Sequence, residues 1–320
     1  MQIVILIDEY DKPILDTLKN PEIAGEMRDI LRDFYGGLKS LDSSLKFVMI
    51  TGVSKFVKTG VFSGLNNLND ITLDQEYSAI CGYTERDLKT IFHEYLSDFD
   101  EDKIREWYNG YSWSGEQIYN PFDILLLFSK GIFRAYWFET GTPSFLIDIW
   151  KKKPKIPAEY DGMVAGDEIL RSFDPEKITI ETLLFQAGYL TIRSWESNPD
   201  IGTWYRLGFP NREVRESFNR FILSYLGPDT ASIPVPDHRR VLEVGDFEHL
   251  KTLIHALFAP IPHDWYRNNP ISRFEGYYAS VFYSWLCSLG FMVIPEDVTN
   301  KGQIDLSVQT RNVIWIFDSR

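Results

Sequence analysis

The chain has 320 residues, of which 44% are hydrophobic and 15% aromatic, and its formal net charge at pH 7 is −13. This length allows two or three domains with buried cores, and the acidic balance excludes a surface that binds nucleic acid through a general positive charge. The sequence contains no apolar run long enough for a membrane helix and no signal peptide, so we expect a cytoplasmic protein without a membrane partner.

The first predicted element is the apolar run Ile3–Ile7, which ends at the acidic pair Asp8 and Glu9. Such runs are typical of buried strands in parallel sheets, whose carboxyl ends hold the ligands of α/β proteins. Asp8 is therefore a candidate ligand of the Mg²⁺ that bridges nucleotide phosphates, and Glu9 is a candidate to orient the attacking water. The alternative is an acidic cap for the next helix. The phosphate-gripping motif G-x-x-x-x-G-K-[ST] occurs nowhere in the 320 residues.

A helix and a second buried strand follow. Apolar residues recur at helical spacing from Pro21 to Leu41, and Leu45–Ile50 is a second strand-like run. A strand, a helix and a strand in this order predict a parallel pair, so the residues after the second strand should lie beside Asp8. Thr51 and Ser54 are the candidates for contacting a nucleotide phosphate there. The alternative role of Thr51 is to cap a turn.

Residues 84–150 have a largely helical pattern that begins at the capping sequence Thr84-Glu85-Arg86-Asp87. We interpret this segment as a helical lid. The run Lys151–Lys155 that follows is basic and contains a proline, which indicates a linker.

Residues 151–245 contain a predicted helix over 179–189, paired strands over 190–195 and 203–207, and a helix from Asn211 to about Leu226. This order indicates a winged-helix-like segment. Winged helices can read DNA, but Glu213 and Glu216 dilute the arginines of this segment. We therefore favour a role in packing within the protein.

The C-terminal elements are a predicted helix over Arg273–Leu289 and strands over 291–294, 304–308 and 313–317. The order α-β-β-β resembles the PD-(D/E)XK nucleases, in which two carboxylates on neighbouring strands converge on Mg²⁺.

In that pattern Asp305 and Asp318 match the two carboxylates, and Glu275 matches a helical acid that adds a metal ligand. Arg320 stands where the pattern has lysine, and its guanidinium can stabilise a phosphate but does not give up a proton. The alternative is a plain antiparallel sheet with a turn acid at Asp305.

Six unusual strings occur in order along the chain: VILIDEYDKPILDTL, FVMITGVSKF, FSGLNNLNDIT, WYNGY, YNPF and WFETGTPSFL. They resemble the bacterial AAA-ATPase-like proteins that carry a C-terminal PD-(D/E)XK nuclease-like domain, and the resemblance runs from about Ile3 to the last residue. In that family the phosphate-binding loop lies upstream of the acidic strand. The resemblance thus implies a chain truncated at both ends, with a missing N-terminal P-loop segment as a partner, ATP and Mg²⁺ as cofactors, and nucleic acid as a substrate.

We therefore predict an α/β and α+β multidomain protein in four parts. They are the distal half of an AAA-like ATPase core with a partial P-loop parallel sheet (1–83), the helical lid (84–150), the winged-helix-like segment (151–245) and an incomplete restriction-endonuclease-like α-β-β-β domain (246–320). The family implies ATP-linked processing of nucleic acid, and we expect both activities to be impaired in this chain. The alternatives are a noncatalytic interaction module or pseudogene product, and a Mg²⁺-dependent nuclease.

Overall fold

The computed structural model describes residues 2–17, 20–53, 61–62, 68–141, 157–170, 179–200, 202–226, 235–258, 274–299 and 302–318. Within these ranges the fold mixes helices with small sheets of two or three strands, as an α+β multidomain protein does. None of the helices in the described ranges has both the length and the apolar character that a membrane crossing requires.

The N-terminal unit is the predicted strand-helix-strand arrangement. Strand β1 (Ile3–Ile7) pairs in parallel with strand β2 (Leu45–Ile50), and Ile7 lies opposite Ile50 at the end of both strands. Asn20 caps the connecting helix α2 by accepting hydrogen bonds from the backbone of its first turn. The elements of this unit are β1 (Ile3–Ile7), α1 (Lys12–Leu15), α2 (Pro21–Ser40) and β2 (Leu45–Ile50).

The prediction that β1 is a buried strand is wrong for the described part of the protein. Val4 and Leu6 are 52% and 70% exposed, whereas Ile7 packs against the small core that contains Tyr10 and Ile14. A strand is buried on both faces only when layers cover both faces of its sheet. Here α2 covers one face, and no described element covers the other.

The lid region contains the predicted helices and one unexpected hairpin. Thr84 and Asp87 form the predicted capping box at the first helix. Gly110 has a φ of 125°, and a Cβ atom at this position would overlap the carbonyl oxygen of Pro210. The elements are α3 (Glu85–Ile91), α4 (His93–Leu96), α5 (Glu101–Tyr108), β3 (Asn109–Tyr111), β4 (Ile118–Tyr119), α6 (Pro121–Lys130) and α7 (Tyr136–Gly141). The run Lys151–Lys155, predicted as a linker, lies outside the described residues.

The middle region has the predicted order of helix, hairpin and helix. Asn211 caps the second helix, since its Oδ1 accepts the backbone N–H of Val214 at 3.0 Å. The hairpin gains a third strand, β5, and the sheet order is β5-β7-β6. The elements are β5 (Val164–Gly166), α8 (Ile180–Gln186), β6 (Thr191–Asn198), β7 (Gly202–Gly208), α9 (Arg212–Leu226), α10 (Val235–Val244) and α11 (Phe247–Phe258).

The C-terminal region has the predicted order of one helix and three strands. The strands form an antiparallel sheet in the order β10-β9-β8, and Val293, Leu306 and Val308 are buried on one face of it. These side chains belong to a single core that also includes buried residues of the middle region. The elements are α12 (Phe274–Ser288), β8 (Met292–Thr299), β9 (Gly302–Gln309) and β10 (Ile314–Phe317).

A buried carboxyl pair joins the lid region to the middle region. Asp123 of α6 and Glu213 of α9 are fully buried, and each accepts the backbone N–H of Trp137 at 2.9 Å. Burial raises the pKa of Glu213, and the charge of Asp123 beside it raises this pKa further. Burial also raises the pKa of Asp123. Among the described residues, no hydrogen bond reaches the second oxygen of either carboxyl, so each group has one buried oxygen without a partner there.

Candidate functional site

The ends of β1 and β2 bring Asp8 and Thr51 into direct contact. The Thr51 N–H donates to the Ile7 carbonyl at 2.8 Å, which extends the parallel pairing by one residue. The Thr51 hydroxyl then donates to Asp8 Oδ1 at 2.5 Å. The two side chains that sequence reasoning placed on neighbouring strand ends therefore form one polar edge.

Glu9 occupies an unusual backbone conformation at this edge. Its φ is 53°, in the left-handed region that few residues other than glycine adopt, and its N–H donates to Asp8 Oδ1 at 2.9 Å. Local strain of this kind is concentrated at functional sites, where the surrounding structure holds it in place. Both acidic side chains are exposed. The turn therefore presents two carboxylates to solvent.

Sequence reasoning missed two residues that hold this edge together. Asp11 is fully buried, and its Oδ1 accepts the Val53 N–H at 3.2 Å. A Cβ atom at Gly52 would lie 2.5 Å from the same Oδ1 and 2.6 Å from the ring of Tyr10. The glycine that follows Thr51 was the available signal, since a glycine at a strand end often marks a close approach of two segments.

The oxygens at this edge fit a hydrated Mg²⁺. Mg²⁺ usually binds proteins through one or two carboxylates and completes its shell with water and phosphate oxygens. Asp8 supplies an exposed carboxylate and Thr51 a hydroxyl, whereas the part of the chain that the structure describes contains no group of three or more His, Cys, Asp or Glu side chains that could hold a metal alone. Ser54, the other candidate phosphate contact, lies outside the described residues.

A second acidic position lies on the C-terminal sheet. The β9–β10 register pairs Leu306 with Phe317, and its continuation by one residue places Asp305 opposite Asp318. Residues directly opposite each other in an antiparallel pair lie on the same face of the sheet. Both aspartates are exposed. The backbone of Glu275 lies in the first turn of α12, but its side chain is outside the described part of the structure. Arg320 is also outside the described residues.

The face that carries these aspartates is the open face of the sheet. The register places Met292 and Ile314 on this face, and likewise Ile294 and Ile316. These four apolar side chains are between 44% and 65% exposed. The carboxylates therefore lie at one end of an uncovered apolar sheet face, while the opposite face contributes to the core.

Models of two known protein families match the two parts of the chain that contain these acidic positions. Residues 1–62 match the family model of predicted AAA-ATPases, and residues 273–319 match that of the PD-(D/E)XK nuclease superfamily. The first match includes the Asp8–Thr51 edge and the second includes Asp305 and Asp318, so the resemblance stated from the sequence is confirmed.

One curated relative is the "uncharacterized protein in vnfD 5′ region" of Azotobacter chroococcum mcd 1. It is 50% identical over 321 residues, which cover 99% of this chain and 62% of the relative. The chain thus spans less than two thirds of the length of this relative. No solved structure matches the chain.

Proposed function

We propose that the Asp8–Thr51 edge is the metal-binding half of an ATPase site, and that the protein takes part in ATP-linked processing of nucleic acid. The observation that carries the proposal is the 2.5 Å hydrogen bond from the Thr51 hydroxyl to Asp8 Oδ1. This bond holds Asp8 Oδ1 in place, and the rest of the exposed carboxylate can contact the water molecules around a Mg²⁺ ion. Thr51 would then lie near the phosphate whose charge the ion neutralises.

The chemistry assigned to each residue follows from its position. Asp8 would hold the hydrated ion, which when bound neutralises charge on the phosphate oxygens. Glu9, on the same turn and exposed, would orient a water molecule. The backbone amides and lysine of a G-x-x-x-x-G-K-[ST] loop are absent from the 320 residues, so we propose that the chain by itself binds Mg-ATP weakly and hydrolyses it slowly.

A local metal probe tests this proposal. Mn²⁺ bound at Asp8 should broaden the methyl NMR resonance of Thr51, because the hydroxyl on the same side chain touches the Asp8 carboxylate. Asp8→Asn should abolish the broadening. Asp16→Asn is the matched control, since Asp16 is an exposed aspartate nearby in sequence that pairs with Lys12. Broadening that persists in Asp8→Asn would overturn the proposal.

The second candidate function is a Mg²⁺-dependent nuclease at Asp305 and Asp318. The observation that supports it is the pairing of Leu306 with Phe317, from which we infer that the exposed Asp305 and Asp318, one residue further on, lie close together. Arg320 takes the place of the expected lysine and cannot act as a general base. We therefore propose that this edge gathers a metal ion weakly and supports little or no cleavage of DNA.

A further inference from the structure

A cleft of about 310 Å³ opens between the turn after β3 and the first half of β6, far along the chain from both acidic edges. It is lined by Ser112, Ser114, Gly115, Ile192, Arg193, Ser194 and Trp195, and we call it the Arg193 cleft. No acidic side chain belongs to this lining, although the chain as a whole has a net charge of −13. The cleft is thus a local site suited to an anion.

The turn after β3, which forms one wall of the cleft, is hydrogen-bonded to β6. The Thr191 hydroxyl bonds to both the N–H and the carbonyl oxygen of Ser112, at 2.7 and 3.0 Å, and the Ile192 N–H donates to the same carbonyl at 3.3 Å. Ser114 has a φ of 64°, and its carbonyl oxygen accepts the side-chain amide of Gln75 at 2.9 Å. The wall is therefore in place before a ligand arrives, which lowers the cost of ordering on binding.

The opposite wall contains a break in the strand pairing. The β6–β7 register shifts between Ile192 and Ser194, so Arg193 falls at a β-bulge. Bulges redirect a side chain and are frequent beside binding sites. Burial lowers the pKa of Arg193, the negative charge of Asp161 partly opposes this shift, and Arg215 adds to it. The guanidinium donates to the Phe209 carbonyl oxygen, and an anion in the cleft would add a favourable charge beside it.

Trp195 supplies an aromatic surface beside the cation. Its side chain is 43% exposed, and it stacks on no aromatic ring among the residues that the structure describes. Trp204 on β7 is 44% exposed, but it does not belong to the lining of the cleft. The cleft therefore combines one cation, several hydroxyls and one free indole.

We propose that the Arg193 cleft binds one nucleotide of a single-stranded nucleic acid, with the base on Trp195 and the phosphate beside Arg193 and the serines. Base stacking on aromatic side chains and phosphate contact with arginine are the two interactions by which proteins hold single strands. The volume is at the lower end for small-molecule sites, which suits one nucleotide unit. This inference rests on the proposed function, because it names the surface that would hold the substrate strand.

The test is binding of a fluorescein-labelled oligothymidylate, measured by fluorescence anisotropy in EDTA. Trp195→Ala should weaken binding about 10-fold. Trp204→Ala, the matched control outside the cleft lining, should change it less than about twofold. The logarithm of the association constant should fall with the logarithm of salt concentration with a slope of about −0.7, the value for a single phosphate contact on a single strand.

A second pair of variants introduces a glutamate, in one variant within the cleft lining and in the other outside it. Both variants keep the tryptophans. Ser194→Glu should weaken binding about 10-fold, and Ser197→Glu, at another exposed position of the same strand, less than about threefold. Absence of binding by the parent, or equal losses within either pair, would overturn the inference. Because EDTA removes divalent ions, such a failure leaves the Mn²⁺ result at Asp8 unaffected, and the reverse also holds.

Discussion

Two pairs of acidic residues in the described part of the chain lie in opposite environments. Asp123 and Glu213 are fully buried around one backbone N–H, whereas Asp305 and Asp318 lie exposed on an open sheet face. Keeping two charges side by side without water is costly, so the buried pair retains a proton. Solvated carboxylates have no such need and can instead attract a divalent ion. Burial thus distinguishes a carboxyl pair that takes part in packing from one that water can reach.

The largest expected effect is on the free energy of unfolding, which should distinguish the buried acidic pair from the exposed one. Glu213→Ala removes a buried side chain that accepts the N–H groups of Trp137 and Phe138, and leaves Asp123 without the carboxyl group beside it. We expect a loss of about 3 kcal/mol in the free energy of unfolding, measured by urea denaturation. Asp305→Ala should change it by less than about 0.5 kcal/mol, because that side chain is exposed. Similar losses in both variants would contradict the comparison.

The next effect concerns pH. Because the pKa of Glu213 is raised in the folded protein, the folded state binds more protons than the unfolded state above the ordinary carboxyl pKa of about 4. Its contribution to stability is therefore complete in acid and is lost as pH rises toward the raised pKa. The slope reaches about 1.4 kcal/mol per pH unit for one proton. Glu213→Gln should flatten this part of the pH profile, and an unchanged profile would show that another group titrates.

Gly52→Ala tests the close packing at the N-terminal edge. The new methyl group would press on Asp11 Oδ1 and on the ring of Tyr10, and we expect a loss of about 2 kcal/mol in the free energy of unfolding. Gly37→Ala on α2 is the matched control, because a Cβ atom there meets nothing within 4 Å and should be neutral or stabilising. Equal stability of the two variants by urea denaturation would show that the edge is not closely packed.

The smallest expected effect is on DNA cleavage. With Arg320 in place of the lysine, the exposed aspartates should not activate water, so the parent and Asp305→Ala should leave supercoiled plasmid equally intact in Mg²⁺ or Mn²⁺. Nicking by the parent that disappears in Asp305→Ala would favour the nuclease function instead.

The sequence predicted the bounds of the first two strands better than it predicted which of their side chains are buried. The bounds of β1 and β2 and the contact between Asp8 and Thr51 follow from local pattern and from the geometry of a parallel pair. The exposure of Leu6 depends on which layers cover the sheet, and no local pattern contains that information.

The buried carboxyl pair could not be predicted for a related reason. Asp123 and Glu213 each lie in the first turn of a helix, where an acidic residue ordinarily serves the helix dipole in solvent. Only the packing of α9 against the lid brings them together around Trp137. The pairing of Leu306 with Phe317, next to Asp305 and Asp318, likewise depends on the strand register, which no local pattern specifies.

Titration of Mg-ATP into the 320-residue chain by isothermal calorimetry tests the central claim most directly. In the proposed function the Asp8–Thr51 edge holds the metal ion and the 320 residues contain no G-x-x-x-x-G-K-[ST] motif, so we expect weak binding, with a dissociation constant of about 1 mM, that disappears in Asp8→Asn. A sub-micromolar dissociation constant, or binding that Asp8→Asn leaves unchanged, would contradict the claim that this edge is one half of a nucleotide site.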